Sequence, residues 1–236
     1  MPHYLKVSQT ASTNTYLSRL AATLPGGTVI YTPSQTAGRG QKGNSWESED
    51  GKNLTFSMLL KQPPVKARDQ FCLSEAAAIA VVEALTTPAG NDFTVKWPND
   101  VYWQDKKICG MLIENSLDGT DIATCIIGIG INVNQVRFVS DAPNPVSLYQ
   151  LTGQETDRDA LLKCFLEAFE RVSQCKTSCF DYRERLFKRG KDSLYEDKTS
   201  RFTARLMDVL PDGRLLLVDQ EGRERLYAFK EVQFVI

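Results

Sequence analysis

Histidine is almost missing from this chain: His3 is the single copy among 236 residues. A protein-kinase His-Arg-Asp catalytic loop is thereby excluded, and a zinc centre would have to be built from thiolates alone. The six cysteines (Cys72, Cys109, Cys125, Cys164, Cys175 and Cys179) contain no Cys-x-x-Cys pair. They read as reduced packing residues, and Cys175-x-x-x-Cys179 with Cys164 upstream lacks a fourth ligand for a structural zinc. Net charge is also lacking: 28 Lys and Arg against 29 Asp and Glu leave −1, with a pI near 6.0. General attraction to DNA or to an anionic membrane is not expected. No apolar run approaches spanning length, and Met1-Pro-His-Tyr-Leu-Lys has neither the apolar segment nor the cleavage site of a signal peptide. The expected location is the cytoplasm. There is no internal repeat and no low-complexity tract. With 42% hydrophobic and 24% charged residues, the chain suffices for a full core and a small second domain.

What the chain does have is a loop rich in glycine and cations, Gln35-Thr-Ala-Gly38-Arg39-Gly40-Gln41-Lys42-Gly43-Asn44-Ser45-Trp46. Glycines let backbone N–H groups approach an anion closely, Arg39 adds a forked donor, and Trp46 offers a flat face to a purine. The spacing Gly38-x-Gly40-x-x-Gly43 fits the dinucleotide fingerprint. That motif requires a buried strand before it and an apolar helix after it, and neither flank qualifies. A P-loop fails as well, because Gly51-Lys52 runs into Asn53 without a glycine lead-in. Taken alone, the stretch is an ordinary surface loop.

The hydrophobic pattern predicts a mixed sheet with flanking helices. A polar cap at Thr10–Asn14 opens a short helix that stops at Pro25-Gly26-Gly27, and strands follow at Thr28–Tyr31 and Asn53–Leu60. Helices are expected over Asp69–Leu85, alanine-rich and suited to close packing, and from about Asp157 to Arg189. Further strands are expected at Phe93–Lys96, Ile108–Asn115 and Ile122–Ile131. From about Lys191 the pattern shortens, with turns at Pro211-Asp-Gly213 and Gln220-Glu-Gly222. Strands at Thr203–Val209, Arg214–Val218, Glu224–Tyr227 and Glu231–Val235 would make a small β-barrel. The run Arg183, Arg185, Lys188, Arg189, Lys191 is interleaved with Asp181, Glu184 and Asp192 and reads as a solvated helix end favoured by the dipole.

Four further clusters fall on strand ends or turns: Ser12-Thr13-Asn14, Lys96-Trp97-Pro98-Asn99-Asp100, Lys106-Lys107-Ile108-Cys109-Gly110, and Gly128-Ile-Gly130-Ile-Asn132-Val-Asn134. Singly they read as a helix cap, a strand-ending turn, an exposed hairpin and a closely packed strand. In order, and with the glycine loop, they resemble the catalytic domain of biotin protein ligases. The match spans residues 12 to 134, and the tail resembles that family's SH3-like barrel.

The resemblance implies an α+β fold of the class II synthetase-like, biotin/lipoate ligase type over residues 1–189, with the SH3-like domain at 190–236. With Ser12 so near the N-terminus, it implies the short form without a DNA-binding module. The implied activity uses ATP and Mg²⁺ to convert biotin to biotinyl-AMP with release of pyrophosphate. Biotin is then transferred to a lysine of a carrier domain of acetyl-CoA carboxylase or another biotin-dependent carboxylase. The resemblance places Ser12, Thr13 and Gln35, with backbone groups near Arg39 and Gly130, on the ureido ring of biotin, its valeryl chain along the strands around Gly110 and Ile129, and Asn14, Gly40, Gln41, Lys107 and Gly128 also about biotin. Trp46, Asn99 and Asn132 fall to ATP together with Arg39 and Lys107. Lys107, Arg39 and Asp100 are the implied catalytic groups, Asp100 orienting the incoming lysine. The loop would also serve as a lid, mobile when empty, that keeps water from the anhydride. Some relatives carry arginine where this chain has Gln41 and Asn44, with Lys42 a candidate substitute. The alternative is a lipoate or octanoate ligase or transferase of the same fold, and homodimer formation is left open.

Overall fold

A computed structural model describes residues 3–41, 44–140, 144–174 and 182–235. In chain order the first part comprises β1 (Tyr4–Lys6), β2 (Gln9–Thr10), α1 (Thr13–Leu20), β3 (Val29–Thr32), β4 (Ser34–Gln35) and β5 (Leu54–Lys61). There follow α2 (Phe71–Ala89), β6 (Phe93–Lys96), β7 (Asp100–Trp103), β8 (Lys106–Asp118), β9 (Asp121–Ile131), α3 (Leu148–Thr152) and α4 (Arg158–Gln174). Seven strands form one sheet in the order β1-β3-β5-β9-β8-β7-β6, parallel at β1/β3 and antiparallel elsewhere.

Both faces of the sheet are covered, so β5 and β9 are buried on successive residues over most of their length, Thr55 and Ser57 of β5 included. Val29, Met58 and Ile127 are cross-strand partners that face α2 and α4, whereas Leu59 and Ile126 turn to the other side and pack with Ile30 under Leu17 of α1. Alanines at 76, 77, 78, 80 and 84 keep the buried face of α2 flat enough to seat on the strands. From α4, Phe165 closes edge-on to Phe56 of β5 with centroids 5.0 Å apart. Burying such a side chain contributes about 1.5–3 kcal/mol. The helical stretch 67–89 is, by length and composition, apolar enough to cross a membrane, contrary to the expectation that no segment is. Most of it is enclosed by the sheet and α4.

The C-terminal part contains β10 (Asp192–Asp197), β11 (Arg201–Val209), β12 (Leu215–Asp219), β13 (Glu224–Tyr227) and β14 (Val232–Phe234), an antiparallel sheet in the order β13-β12-β11-β10-β14. Four of these strands were expected. β10 was not, because its sequence Asp-Ser-Leu-Tyr-Glu-Asp carries charges that only its pairing with both β11 and β14 makes compatible with a strand.

The second long helix is described over Arg158–Gln174, and residues 185–189, expected within it, are turn and bridge rather than helix. Residues 175–181, including Cys175, Cys179 and Asp181, lie outside the described residues. Beyond them the chain is drawn to the sheet edge: Val95 N–H donates to Arg185 O (2.7 Å) and Phe187 N–H to Val95 O (2.9 Å). An edge strand's unpaired backbone groups outcompete helix continuation here. The basic run begins at the end of a short helical stretch, residues 182–184, and continues beyond it along the sheet edge. Arg183 pairs with Asp208, Arg185 holds Asn91, Lys188 meets Asp105, and Arg189 donates to Met207 O, so its charges sew the sheet to the C-terminal strands. Cys109 and Cys125 are core residues as expected and Cys72 is half-buried, but Cys164 is exposed on α4 and is not a packing residue.

Candidate active site

Strand register builds the floor of a cavity of about 510 Å³ on the α1 side of the sheet. Thr55 of β5 lies opposite Gly130 of β9, Gly130 opposite Gly110 of β8, Gly110 opposite Asp100 of β7, and Asp100 opposite Lys96 of β6. Directly paired residues face the same side, so this single row runs from a hydroxyl, over two bare glycines, to a carboxylate and an ammonium. A neighbouring row sets Ser57 opposite Gly128 and Gly128 opposite Leu112. The glycines leave a trough that side chains from elsewhere enter.

Lys107 reaches this row through a bulge. Positions 107 and 110 differ by an odd number and in a regular strand would face opposite sides. The register slips where Val101 pairs with Cys109 but Tyr102 with Lys107, leaving Ile108 as the extra residue. Lys107 then shares the face of Gly110, and its Nζ pairs with Asp100 Oδ1 at 2.8 Å. This pair is mostly shielded from solvent.

The end beside α1 is neutral. Ser12, Thr13 and Asn14 are buried, and Ser12 occupies the N-cap position without making a side-chain cap bond. The cap is supplied from β4 instead: Gln35 Oε1 accepts from Thr13 N–H at 3.0 Å and from its hydroxyl at 3.3 Å. The reading of Ser-Thr-Asn as its own cap is corrected, since the loop delivers Gln35 to that place. Ser57 Oγ is hydrogen-bonded to Asn14 Oδ1 (2.6 Å) and Thr13 Oγ1 (2.7 Å), while Asn14 Nδ2 donates to Leu112 O and Glu114 Oε2. Asn14 sits directly over Gly128, where a Cβ would be 2.0 Å from its Oδ1.

The other end is charged. Lys96 is half-buried, its Nζ 5.3 Å from the Tyr102 ring centroid and 5.2 Å from that of Phe234 on β14. Burial holds its ammonium pKa below the usual lysine value; Asp100 opposes the shift, and Lys107 and Lys188 add to it. Asn99 lines the cavity, with its amide on Met111 O and its carbonyl accepting from Met111 N–H (2.9 Å). Trp97, joined to Pro98 by a cis peptide, points its Nε1 to Gly213 O (2.9 Å) in the turn after β11. Asn132 does not line the cavity; its side chain donates to Val146 O.

The glycine loop arches over the trough as a small hairpin: Trp46 N–H donates to Gly38 O, Gly40 N–H to Asn44 O, and Arg39 bridges Ser45. Lys42 and Gly43 lie outside the described residues. Gly40, Gln41 and Asn44 line the cavity, and Arg39 reaches Glu114 Oε2 at 2.9 Å. Trp46 has definite partners despite its polar neighbours. Its ring covers Gly110 and Gly130, where a Cβ would stand 2.9 and 2.4 Å from the indole. Lys107 Nζ lies 5.7 Å from that ring's centroid. The indole Nε1 is buried with no hydrogen-bond partner among the described residues, so it has a donor to offer.

Some site residues escaped the sequence reading. Ser57 was readable as a hydroxyl inside the apolar run Leu54–Leu60. Glu114, which links Arg39 to Asn14, stands at the end of an expected strand without a motif of its own. The wall from the C-terminal strands, with Asp197, Lys198, Phe229, Lys230 and Phe234, left no local signal, because only the docking of the two parts brings it there.

A model of the Biotin/lipoate A/B protein ligase family matches residues 7–132. The biotin--[acetyl-CoA-carboxylase] ligase of Paracoccus denitrificans is 32% identical over 171 residues, covering 70% of this chain and 70% of that protein. The bifunctional ligase/repressor BirA of Bacillus spizizenii is 32% identical over 215 residues, covering 86% of this chain and 65% of that one. The chain thus spans slightly less than two thirds of the latter's length. Among solved structures, the biotin protein ligase from Aquifex aeolicus in complex with biotin and ATP superposes with a TM-score of 0.80 at 28% identity, covering 100% of this chain and 99% of that one.

Proposed function

Since the chain belongs to the biotin/lipoate A/B protein ligase family, we propose that it joins biotin to ATP as biotinyl-AMP and then passes biotin to a lysine of a carrier domain of acetyl-CoA carboxylase or another biotin-dependent carboxylase. The observation that carries this reading is the glycine-floored trough with a neutral polar cradle at one end and Lys107, Asp100 and Lys96 at the other. A ureido ring asks for uncharged donors and acceptors in fixed places, and Ser12, Thr13, Asn14 and Gln35 with the supporting Ser57 supply them. The strip over Gly128, Gly130 and Gly110 has no side chains of its own and is filled by Asn14 and the Trp46 indole; with the indole swung aside it suits the bicycle and the methylene chain. A lipoyl or octanoyl group has no ureido N–H or carbonyl to answer the polar cradle, and burying it there takes polar groups from water without new hydrogen bonds, at a cost of roughly 1–3 kcal/mol per buried group.

In the first step an oxygen of the biotin carboxylate attacks the α-phosphorus, and the bond to pyrophosphate breaks. Two anions must meet, so Lys107 and Arg39 serve as the cations that neutralise them and the charge on the transferring group. Both are already held by carboxylates, Asp100 and Glu114, and exchange those partners for the incoming anions. No cluster of three potential ligands among His, Cys, Asp and Glu occurs among the described residues. The chain therefore offers Mg²⁺ no cage of its own, and the ion, when bound, would supply charge neutralisation while held mainly by phosphate oxygens and water. In the second step a carrier lysine, as the free amine, attacks the acyl carbon; the amide forms, AMP leaves, and the amine proton is lost. Asp100 is placed to orient that amine. The hairpin of residues 38–46 excludes water from the anhydride.

The test is isotope exchange between labelled pyrophosphate and ATP without a carrier. Exchange dependent on biotin is expected, and exchange with lipoate or octanoate but not with biotin would overturn the reading.

A further inference from the structure

The turn carrying Lys96–Asp100 is held from two sides. On the sheet side, Asn99 is bound to Met111 through both its carbonyl and its amide. On the other, contacts come from the C-terminal strands and their turns. Trp97 Nε1 donates to Gly213 O at 2.9 Å, and its ring meets Phe229 edge-on with centroids 6.2 Å apart. Lys96 is roofed by Phe234. The receiving turn is itself anchored. Gly213 has φ +85°, and its α-carbon presses on Phe71 at the start of α2, where a Cβ would be 2.8 Å from the ring. Trp97 borders the cavity but is only 4% exposed, so most of its surface is spent on these contacts.

From these contacts we propose that the C-terminal domain is a positioning element of the active site, with Trp97 and Phe234 as positioning residues that hold Lys96 and Asp100 in register beneath the phosphates. The inference rests on the activity proposed above. β6 and β7 lie at the sheet edge, and β6 has only β7 and the segment around Leu186 to pair with. Such an edge is free to slide or twist unless something outside the sheet fixes it. Asp100 and Lys96 are direct cross-strand partners there, so a shift of the turn moves both charges together, away from Lys107. Misplacement of reacting groups by about 1 Å can cost on the order of a hundredfold in rate. The ureido cradle, built from α1, β4 and β5, should not feel the change.

The experiment compares Trp97→Phe and Phe234→Leu with the unmodified full-length chain. Hydrogen exchange is followed at the Met111 amide, which donates to Asn99 O, and pyrophosphate exchange kinetics are measured with biotin and ATP. Both variants should melt cooperatively, exchange the Met111 amide about tenfold faster, and lose about tenfold in kcat with the KM for biotin unchanged. Wild-type kcat in both variants, or a lowered kcat with undisturbed Met111 exchange, would overturn the proposal. Should Trp97→Phe fail to fold, β-(3-benzothienyl)alanine at position 97 removes the N–H and keeps the shape, and the same outcomes decide. If the unmodified chain shows no biotin-dependent exchange, the activity reading falls by itself. The Met111 amide alone then settles the positioning, faster exchange supporting it and wild-type exchange overturning it.

Discussion

At one end of the trough, Thr13, Asn14, Gln35 and Ser57 satisfy one another with neutral hydrogen bonds inside a single domain. At the other, Lys96, Lys107 and Asp100 arrive on separate strands, roofed by Phe234 of the C-terminal strands, while Arg39 of the loop is tied through Glu114 to Asn14. The difference follows from what each end must recognise. A neutral ring is bound by shape and by donors that cost little to keep buried once paired, so a rigid, self-satisfied cradle suffices. Phosphates demand several like charges close together, and such charges persist only when each has a temporary partner or an aromatic face nearby. The charged end is accordingly assembled from more pieces, and should be the easier to disturb from a distance.

Substitutions at four positions test that contrast. The largest effect is expected from Lys107→Ala, which should lower adenylation by at least about a hundredfold, the scale of a lost charge-stabilising donor, with biotin affinity little changed. Lys107→Gln keeps a donor beside Asp100 and separates lost catalysis from the cost of leaving that carboxylate unpaired. Near-native turnover in both variants would mean that another cation, Lys96 first, bears the charge.

Gly128→Ala breaks the neutral end. Its Cβ would overlap Asn14 Oδ1, displacing Asn14 from Ser57 and Leu112. Calorimetry should show biotin binding weakened by roughly 1–3 kcal/mol, the cost of unpaired buried polar groups, while ATP binding holds. Equal loss of both ligands would erase the distinction between the two ends.

Trp46 spans the boundary. Because the indole covers Gly110 and Gly130, Trp46→Ala should weaken biotin binding by about 1–2 kcal/mol through lost apolar contact, read by titration. A loss confined to ATP, on the roughly 1–3 kcal/mol scale of base stacking, would return the indole to the adenine.

The smallest effect is a shift rather than a loss. Burial lowers the pKa of Lys96, so on raising the pH its proton leaves earlier than that of an ordinary lysine, and activity that needs the cation declines on the alkaline side. Lys96→Arg, whose guanidinium stays charged, should push that decline to higher pH. An alkaline limb that stays in place would show that Lys96 does not set it.

Much of the site was legible because its chemistry is local. Arg39-Gly40, Lys96–Asp100 and Gly128-x-Gly130 declare bare backbone and charge within a few residues, and all of them line one cavity. Trp97 carried no such local signal, since its indole N–H is bound to Gly213, over a hundred residues away. Ser12-Thr13-Asn14 read singly as a cap, although Gln35 makes the bond to the Thr13 amide, 22 residues further on. The helix drawn through to Arg189 failed because an open sheet edge competes for the same backbone.

The sequence by itself determined which segments are helix or strand over most of the chain, and which of them carry glycine, hydroxyl or cation, because side-chain periodicity and backbone preference act over a few residues. Only the tertiary structure decided that Thr55, Gly130, Gly110, Asp100 and Lys96 form one row, that a bulge at Ile108 turns Lys107 onto it, and that Phe234 roofs Lys96. Register and docking depend on partners tens to over a hundred residues away, whose meeting is settled by burial of the whole core rather than by any local pattern.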